Sequence, residues 1–334
     1  MHTEISQAAD SLSRAGALLS AGELVAFPTE TVYGLGANAR SDAAVAKIYE
    51  AKGRPTGNPI IVHVTDVAAA RACAAAGGWS DQAETLAQRF WPGPLTVIVF
   101  RGADISPQVS AGRQTVALRC PAHRIAQQLL QTFQGPIAAP SANRSGFTSP
   151  TTAEHVLAEL GGRVPLILDG GACAVGVEST VLDLTVVSPR ILRPGAITVE
   201  MLREVIGPVE TVSAIVREED SAASPGQHSR HYAPRTPAFW FARKSRDTML
   251  AAAEKQAKTV LMTHDPAVRL ESPHEVMVLP ADAAAYARAL YAGLRQADLQ
   301  GASSIMILMP DTTEGIWAAV IDRLKRAAVP LPIV

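Results

Sequence analysis

Residues 24–39 read LVAFPTETVYGLGANA, and this stretch restricts the fold more than any other part of the chain. Leu24–Phe27 is a short apolar run of the kind that forms a buried strand. Gly34–Ala39 fits the G-x-G-x-x-A pattern of dinucleotide-binding turns. However, Pro28–Thr31 interrupts the junction between strand and turn, and residues 51–65, where the acidic partner of that motif should lie, contain no Asp or Glu. We therefore reject a dinucleotide-binding fold for this stretch.

Outside this stretch, apolar runs and helical patterns alternate in two blocks of the chain. Ile5 and Leu19 lie on one face of a predicted opening helix. Residues 211–237 are rich in Ser, Pro and charge, which is typical of a linker. We expect an α/β protein, with a twisted mixed sheet and flanking helices over residues 1–210 and a smaller, Rossmann-like α/β domain over residues 238–334.

The composition is that of a folded protein without a strongly charged partner. Of the 334 residues, 48% are hydrophobic, and 30 Lys and Arg face 31 Asp and Glu for a net charge of −1. That balance disfavours a protein that binds nucleic acid mainly through charge. Cys73, Cys120 and Cys173 lie far apart, which indicates no disulfide framework and favours a reducing, cytoplasmic setting. The apolar runs are too short to span a bilayer, so we expect no membrane association.

Two windows of the first block contain basic residues but no acids. Residues 51–65 carry Lys52 and Arg54, and residues 105–153 carry four arginines. With no carboxylate nearby in sequence, we expect these cations to bind an external anion rather than to form structural ion pairs. The turn Pro140–Gly146 adds hydroxyl and amide groups, and the whole set suits a polyphosphate. A solvated, mildly basic surface is the alternative.

Other motifs of nucleotide and metal sites are weak. The chain has no P-loop pattern. His228 and His231 have metal-like spacing, but their arginine neighbours in a linker favour a solvated or substrate-facing pair. Asp169 and Glu178 could offer carboxylates to Mg²⁺, or Asp169 could simply shape a turn.

Five blocks of sequence occur in the order typical of one family. They are Phe27–Leu35 (FPTETVYGL), Lys52–Pro55 (KGRP), Phe90–Leu95 (FWPGPL), Pro140–Asn143 (PSAN) and Leu192–Gly195 (LRPG). Through these blocks, residues 11–207 resemble the YrdC-like threonylcarbamoyl-AMP synthases. Ser224–His228 (SPGQH) and His231–Pro234 (HYAP), with the domain that follows them, resemble the long two-domain form of that family.

The resemblance implies a nucleotidyltransferase with a YrdC-like fold. L-threonine, bicarbonate (or CO₂) and ATP would give threonylcarbamoyl-AMP and pyrophosphate, the first step towards N6-threonylcarbamoyladenosine (t6A) in tRNA. Downstream proteins would transfer the threonylcarbamoyl group, so this chain would meet tRNA only indirectly. Mg²⁺ would accompany ATP and be held mainly by phosphates and water, with its protein ligands left open.

The resemblance also implies roles for individual residues. Lys52 and Arg54 would be catalytic and would clamp the triphosphate. Further ATP-binding residues would be Asn58, Thr115, Ser141, Ser149, Arg193 and Tyr232. The threonine-binding residues would be Thr31, His63, Arg119, Ala139 and Ser179, with Arg119 holding the carboxylate. Tyr232, in the linker, would close over the nucleotide as an active-site lid and exclude water.

Two other functions stay open at this point. A double-stranded RNA-binding or tRNA-binding protein could use the same basic surface, although the near-zero net charge disfavours it. A relative that handles carbamoyl phosphate could be built on the same first domain, and its activity would not require threonine.

Overall fold

The computed structural model describes residues 2–212 and 231–331, which fold around two sheets. The larger sheet has eleven strands in this part of the chain. They are β1 (Glu4–Gln7), β2 (Val25–Phe27), β3 (Gly34–Asn38), β4 (Ile61–His63), β5 (Leu95–Phe100), β6 (Thr115–Arg119), β7 (Ile137–Ala138), β8 (Leu166–Asp169), β9 (Thr180–Asp183), β10 (Arg190–Arg193) and β11 (Glu210–Thr211). The strand order is β1-β8-β2-β3-β7-β4-β6-β5-β9-β10-β11, and parallel and antiparallel pairs both occur. The predicted mixed sheet is confirmed.

Several helices of this domain begin at a capping side chain or end at a glycine. The α-helices are α1 (Ala8–Ser20), α2 (Asp42–Lys52), α3 (Val67–Cys73), α4 (Asp81–Phe90), α5 (Arg124–Phe133), α6 (Ala153–Leu160) and α7 (Val199–Ile206). Ser80 caps α4 by accepting a hydrogen bond from the backbone N–H of Ala83. Helix α2 ends at Gly53, whose φ of 59° is a left-handed conformation that glycine adopts without strain. This turn separates Lys52 from Arg54.

The second sheet is parallel throughout its described pairs, as predicted. Its strands are β12 (Ala238–Phe241), β13 (Thr259–Thr263), β14 (Glu275–Val278), β15 (Ser304–Leu308) and β16 (Val329–Pro330), in the order β14-β13-β15-β12-β16. The helices of this domain are α8 (Arg246–Glu254), α9 (Ala283–Asp298) and α10 (Trp317–Ala327). None of the helices in the described ranges is long and apolar enough to cross a membrane.

Within residues 2–39, the structure contradicts one prediction from the sequence and confirms another. Ile5 lies in β1, which pairs with β8, so the helix begins only at Ala8. Gly36 lies in β3, antiparallel to β2. A Cβ at Gly36 would lie 2.9 Å from the side chains of Phe27 and Ile137. This glycine therefore allows close packing within the sheet, which confirms the rejection of a dinucleotide-binding turn.

The two domains meet in a shared apolar cluster. Of the predicted linker, residues 213–230, which include His228, lie outside the described residues. Tyr232 packs in one cluster with Val32 of the first domain and Tyr291 of the second. Thr211 belongs to β11, so a boundary after residue 210 would divide that strand. The domain limits themselves stay predictions.

Candidate active site

A pocket lies at the meeting point of the first domain and the start of the second described range. Its lining comes from the loop between β2 and β3, the ends of β4, β6 and β10, the turn after β7, and His231 with Tyr232. The cavity volume is about 40 Å³. That space holds a few water molecules but is much smaller than the several hundred Å³ typical of a site for a ligand the size of a drug. A space of this volume does not hold a whole nucleotide.

Lys52 and Arg54 extend from the turn at the end of α2, and both are buried. The Lys52 Nζ donates hydrogen bonds to the backbone oxygens of Ser141, at 2.5 Å, and of Asn143. Arg54 donates from Nη2 to the backbone oxygen of Pro59 at 2.9 Å. Backbone carbonyls orient both cations but do not neutralise them.

Burial of Lys52 and Arg54 away from water disfavours their charged forms when no anion is bound. Burial, followed by the charge of Arg54, lowers the pKa of Lys52 well below its ordinary value. Burial likewise lowers the pKa of Arg54 to about 10. A bound polyphosphate would remove this penalty by supplying opposite charge. The electrostatics of the turn therefore favour an anionic ligand.

Arg119, at the end of β6, has a structural ion pair that the sequence did not predict. Arg119 forms a buried ion pair with Glu30, with 2.7 Å between Nη2 and Oε1. The expectation that acid-free windows leave their cations without structural ion pairs is therefore wrong for Arg119. Glu30 comes from the loop after β2, far away in sequence, and the fold brings the two side chains together. A local window cannot detect such a partner.

His63 and Thr31 line the pocket together with Arg119, and His63 lies opposite Arg119 in the register of β4 and β6. Burial, followed by the charge of Arg119, lowers the pKa of His63 to about 3, so its imidazole is neutral at physiological pH. The Thr31 hydroxyl lies 2.8 Å from the Thr29 hydroxyl. A guanidinium, a neutral imidazole and hydroxyls together suit a small polar ligand with a carboxylate.

Ser179 and Ser149 are held just outside the lining by hydrogen bonds to lining residues. Arg193 donates from Nη2 to the Ser179 Oγ at 3.1 Å and from Nε to its backbone oxygen at 3.1 Å. The Ser149 Oγ donates to Oε1 of Glu178 at 2.6 Å. These contacts fix the orientation of two side chains that line the pocket, Arg193 and Glu178.

Tyr232 and His231 fill one side of the pocket. Tyr232 adopts a φ of 62°, a left-handed conformation that is strained for a tyrosine. Its hydroxyl and the Nδ1 of His231 are buried without a hydrogen-bond partner among the described residues. Buried polar atoms without partners are uncommon in folded proteins, and here two of them belong to residues that line one cavity. This feature is typical of a surface that receives a polar ligand.

The structure brings most of the predicted site residues together. Eight of them line the pocket: Thr31, Arg54, His63, Arg119, Ala139, Ser141, Arg193 and Tyr232. Four more contact the lining: Lys52, Asn58, Ser149 and Ser179. Thr115 begins β6 whereas Arg119 ends it, which places the two about 13 Å apart along the strand. The individual roles of all thirteen stay predictions.

Sequence reasoning did not assign several residues that the pocket uses. Thr29 and Tyr33 line it beside Thr31, and their place within the block FPTETVYGL was the available signal. The sequence alone suggests Glu178 only as a metal ligand. Arg323 and Tyr291, which bind Glu178 from the second domain, lie in a region without any recognisable motif.

A resident metal site does not emerge from the described residues, which contain no group of three or more His, Cys, Asp and Glu side chains able to hold an ion. Asp169 accepts a hydrogen bond from the backbone N–H of Gly171 at 2.9 Å, so it shapes a turn. Both carboxylate oxygens of Glu178 accept hydrogen bonds from protein donors. The oxygen ligands that fit Mg²⁺ are therefore pocket hydroxyls such as that of Ser141, together with the phosphates of a substrate.

Two family models together match most of the chain. Residues 17–195 match the Sua5/YciO/YrdC family, described as "Telomere recombination", and residues 197–329 match the "Threonylcarbamoyl-AMP synthase, C-terminal domain" family. A threonylcarbamoyl-AMP synthase of Pyrococcus abyssi is 39% identical over 94% of this chain and 93% of its own length. One from Bacillus subtilis is 49% identical over 70% of this chain and 67% of its own length.

The similarity extends to the arrangement of both domains. The crystal structure of P. abyssi Sua5 complexed with L-threonine superposes with a TM-score of 0.88, at 37% identity and with 98% of each chain covered. Both domain families, a relative matched along almost its whole length and a solved structure of the same architecture therefore agree. This chain belongs to the threonylcarbamoyl-AMP synthase family.

Proposed function

We propose that the pocket binds ATP, L-threonine and bicarbonate (or CO₂) and that the chain acts there as a nucleotidyltransferase, releasing pyrophosphate. The chain synthesises threonylcarbamoyl-AMP, the first step of t6A formation. Downstream proteins would then carry the threonylcarbamoyl group to tRNA, which this chain would meet only indirectly. One observation carries the proposal: Arg54 and Ser141 share a single cavity with His63 and Arg119.

The chemistry has two parts in this proposal. The threonine amine first bonds to the carbon of the donor to give a carbamate, with loss of a proton when the donor is CO₂ and of water when it is bicarbonate. A carbamate oxygen then attacks the α-phosphorus of ATP, and the bond from that phosphorus to the pyrophosphate oxygen breaks. No covalent bond to the protein forms, so the enzyme contributes position and charge stabilisation.

Lys52 and Arg54 would stabilise charge on the triphosphate as pyrophosphate leaves. Their lowered pKa values reflect burial, which a phosphate ligand compensates. Arg119 would bind the threonine carboxylate, while the neutral imidazole of His63 can accept a hydrogen bond from a threonine donor. Mg²⁺ would arrive with ATP and neutralise phosphate charge, with few side-chain ligands.

A double-label experiment tests the proposal. The protein is incubated with ATP, Mg²⁺, ³H-threonine and ¹⁴C-bicarbonate, and nucleotides are separated by chromatography. We expect one nucleotide product that carries both labels in equal amounts. A nucleotide product with ¹⁴C but no ³H would contradict the proposal and favour a carbamoyl-handling relative. Absence of any labelled nucleotide would also contradict it.

A further inference from the structure

Glu178 is an acid in a pocket that is otherwise positively charged. Among the described lining residues, Arg54, Arg119 and Arg193 carry positive charge and Glu178 alone carries a carboxylate. Burial raises the pKa of Glu178, but the charges of nearby arginines and its hydrogen bonds outweigh burial, so the pKa lies below its ordinary value. The group is thus ionised at neutral pH, where it would repel phosphates unless another charge neutralised it.

The second domain supplies a charge at that point. Arg323, in α10, is fully buried, and its Nε donates to Oε2 of Glu178 at 2.8 Å. Tyr291, in α9, donates its hydroxyl to the same oxygen at 2.8 Å. The other oxygen accepts from Ser149 at 2.6 Å. Donors from both domains therefore fix Glu178 in one orientation.

Stability alone does not account for this arrangement. A buried ion pair contributes little net stability compared with apolar side chains of similar volume. Arg323 also binds Asp322 at 2.7 Å, and Asp322 pairs with Arg326 at 2.9 Å, so a chain of alternating charges leads from α10 to the pocket. Its last member is Glu178, beside Ser149 and Arg193, two residues assigned to ATP.

We propose that Arg323 is a positioning residue for ATP, acting by neutralising Glu178 and holding it against Ser149. The inference rests on the proposed function, because it concerns the affinity of the same site for ATP. Without Arg323, the carboxylate of Glu178 would oppose the phosphates and compete with them for the charge of Arg193. Threonine binding, whose charged contact is assigned to Arg119, would change little.

The test measures KM for both substrates by pyrophosphate release, and ATP affinity by calorimetry in the absence of threonine. We expect Arg323→Gln to raise the KM and the Kd for ATP at least about tenfold, the size of one close charge pairing, and to leave the KM for threonine within about twofold. Adding Glu178→Gln should restore most of the ATP affinity, because the amide keeps an acceptor and removes the charge.

Arg288→Gln serves as the matched control. Arg288 is an exposed arginine of α9 that also links the domains, through a 2.8 Å hydrogen bond from Nε to the backbone oxygen of Ala174. It contacts no charge in the pocket lining through that bond, so both KM values should match those of the wild type. This control separates a local charge effect from a general loosening of the interface.

Folding is checked for every variant by circular dichroism, since removing one partner of a buried ion pair is strongly destabilising. If Arg323→Gln does not fold, Tyr291→Phe replaces it, because it removes one donor to Glu178 and no charge. We then expect a severalfold higher Kd for ATP and an unchanged KM for threonine. Wild-type values for both substrates in Tyr291→Phe would overturn the inference.

Two results with folded variants would overturn the inference while leaving the proposed function intact. One is an unchanged Kd for ATP in Arg323→Gln. The other is a raised Kd for ATP in Arg323→Gln that the added Glu178→Gln substitution does not lower again. Arg323 would then act through packing or through the Tyr232 ring, whose centre lies 5.4 Å from its guanidinium carbon. A wild-type protein without threonine-dependent pyrophosphate release would instead overturn the proposed function, and this inference with it.

Discussion

Arg119 and Glu30 form a buried ion pair with 2.7 Å between Nη2 and Oε1, at the side of the pocket where His63 lies. Glu30 also accepts a hydrogen bond from the backbone N–H of Ala122 at 3.1 Å, which fixes its carboxylate from a second direction. The Nε of Arg119 donates to the backbone oxygen of Gly93 at 3.3 Å. The guanidinium is therefore oriented within the pocket lining before any substrate binds.

We expect Arg119→Ala to weaken threonine binding. Loss of a hydrogen bond to a charged group costs about 1.5–3 kcal/mol, which corresponds to a rise of about 10- to 150-fold in the KM for threonine. The KM for ATP should change little. Arg124→Ala, an exposed arginine in the same acid-free window, is the control and should match the wild type. An unchanged KM for threonine in Arg119→Ala would contradict the assignment.

Lys52→Ala or Arg54→Ala should lower turnover by about 10²- to 10³-fold, if each cation stabilises charge that develops on the phosphates. The measurement is kcat for pyrophosphate release at saturating ATP and threonine. Lys47→Ala provides the control, because Lys47 lies on the same helix but forms a partly exposed ion pair with Glu23. A folded Lys52 or Arg54 variant with near-wild-type kcat would remove the proposed role.

Tyr232→Phe should change the KM for ATP without lowering the free energy of unfolding. The Tyr232 hydroxyl is buried and has no partner among the described residues, so its removal should leave the free energy of unfolding unchanged or raise it slightly. If the hydroxyl contacts ATP, the KM for ATP should rise severalfold in the same variant. Urea unfolding and steady-state kinetics measure the two effects. Loss of stability with an unchanged KM would show a structural role only.

The histidine of the pocket should make stability depend on pH. Burial and Arg119 lower the pKa of His63 to about 3, whereas an unfolded histidine titrates near 6.5. Between these values only the unfolded chain binds the proton, so the free energy of unfolding falls as the pH decreases. The wild type should lose ~1.5 kcal/mol more than His63→Gln between pH 6.5 and pH 5. Parallel losses in urea unfolding would contradict the assignment of a neutral, buried imidazole.

Local sequence predicted much of the fold because several elements carry their own signals. Helix α4 follows Ser80, a residue type that caps helices, and its apolar residues recur at helical spacing and pack inward. Strand β5 has the sequence LTVIVF, in which five of six residues are apolar, so its own residues indicate a buried strand. Strand β10 was not predicted, since four residues that begin and end with arginine have no strand-like pattern of their own. Ile5 was misassigned because pairing with β8 overrides its helical spacing.

Site residues that are neighbours in the sequence can be predicted from it, whereas partners that lie far apart in the sequence cannot. Lys52 and Arg54 stand on one glycine turn, which the sequence displays directly. The partner of Arg119, in contrast, lies 89 positions earlier in the chain, and Arg323 lies 145 positions after Glu178. Such pairs exist only after the sheet and the second domain have folded. No spacing rule in a single sequence encodes them.

The most direct test of the account is pyrophosphate release from ATP, measured with threonine and bicarbonate each omitted in turn from a buffer freed of CO₂. We predict release that requires both compounds, because the carbamate of threonine is the group that attacks ATP. Release that continues without threonine, or no release with both present, would contradict the central claim.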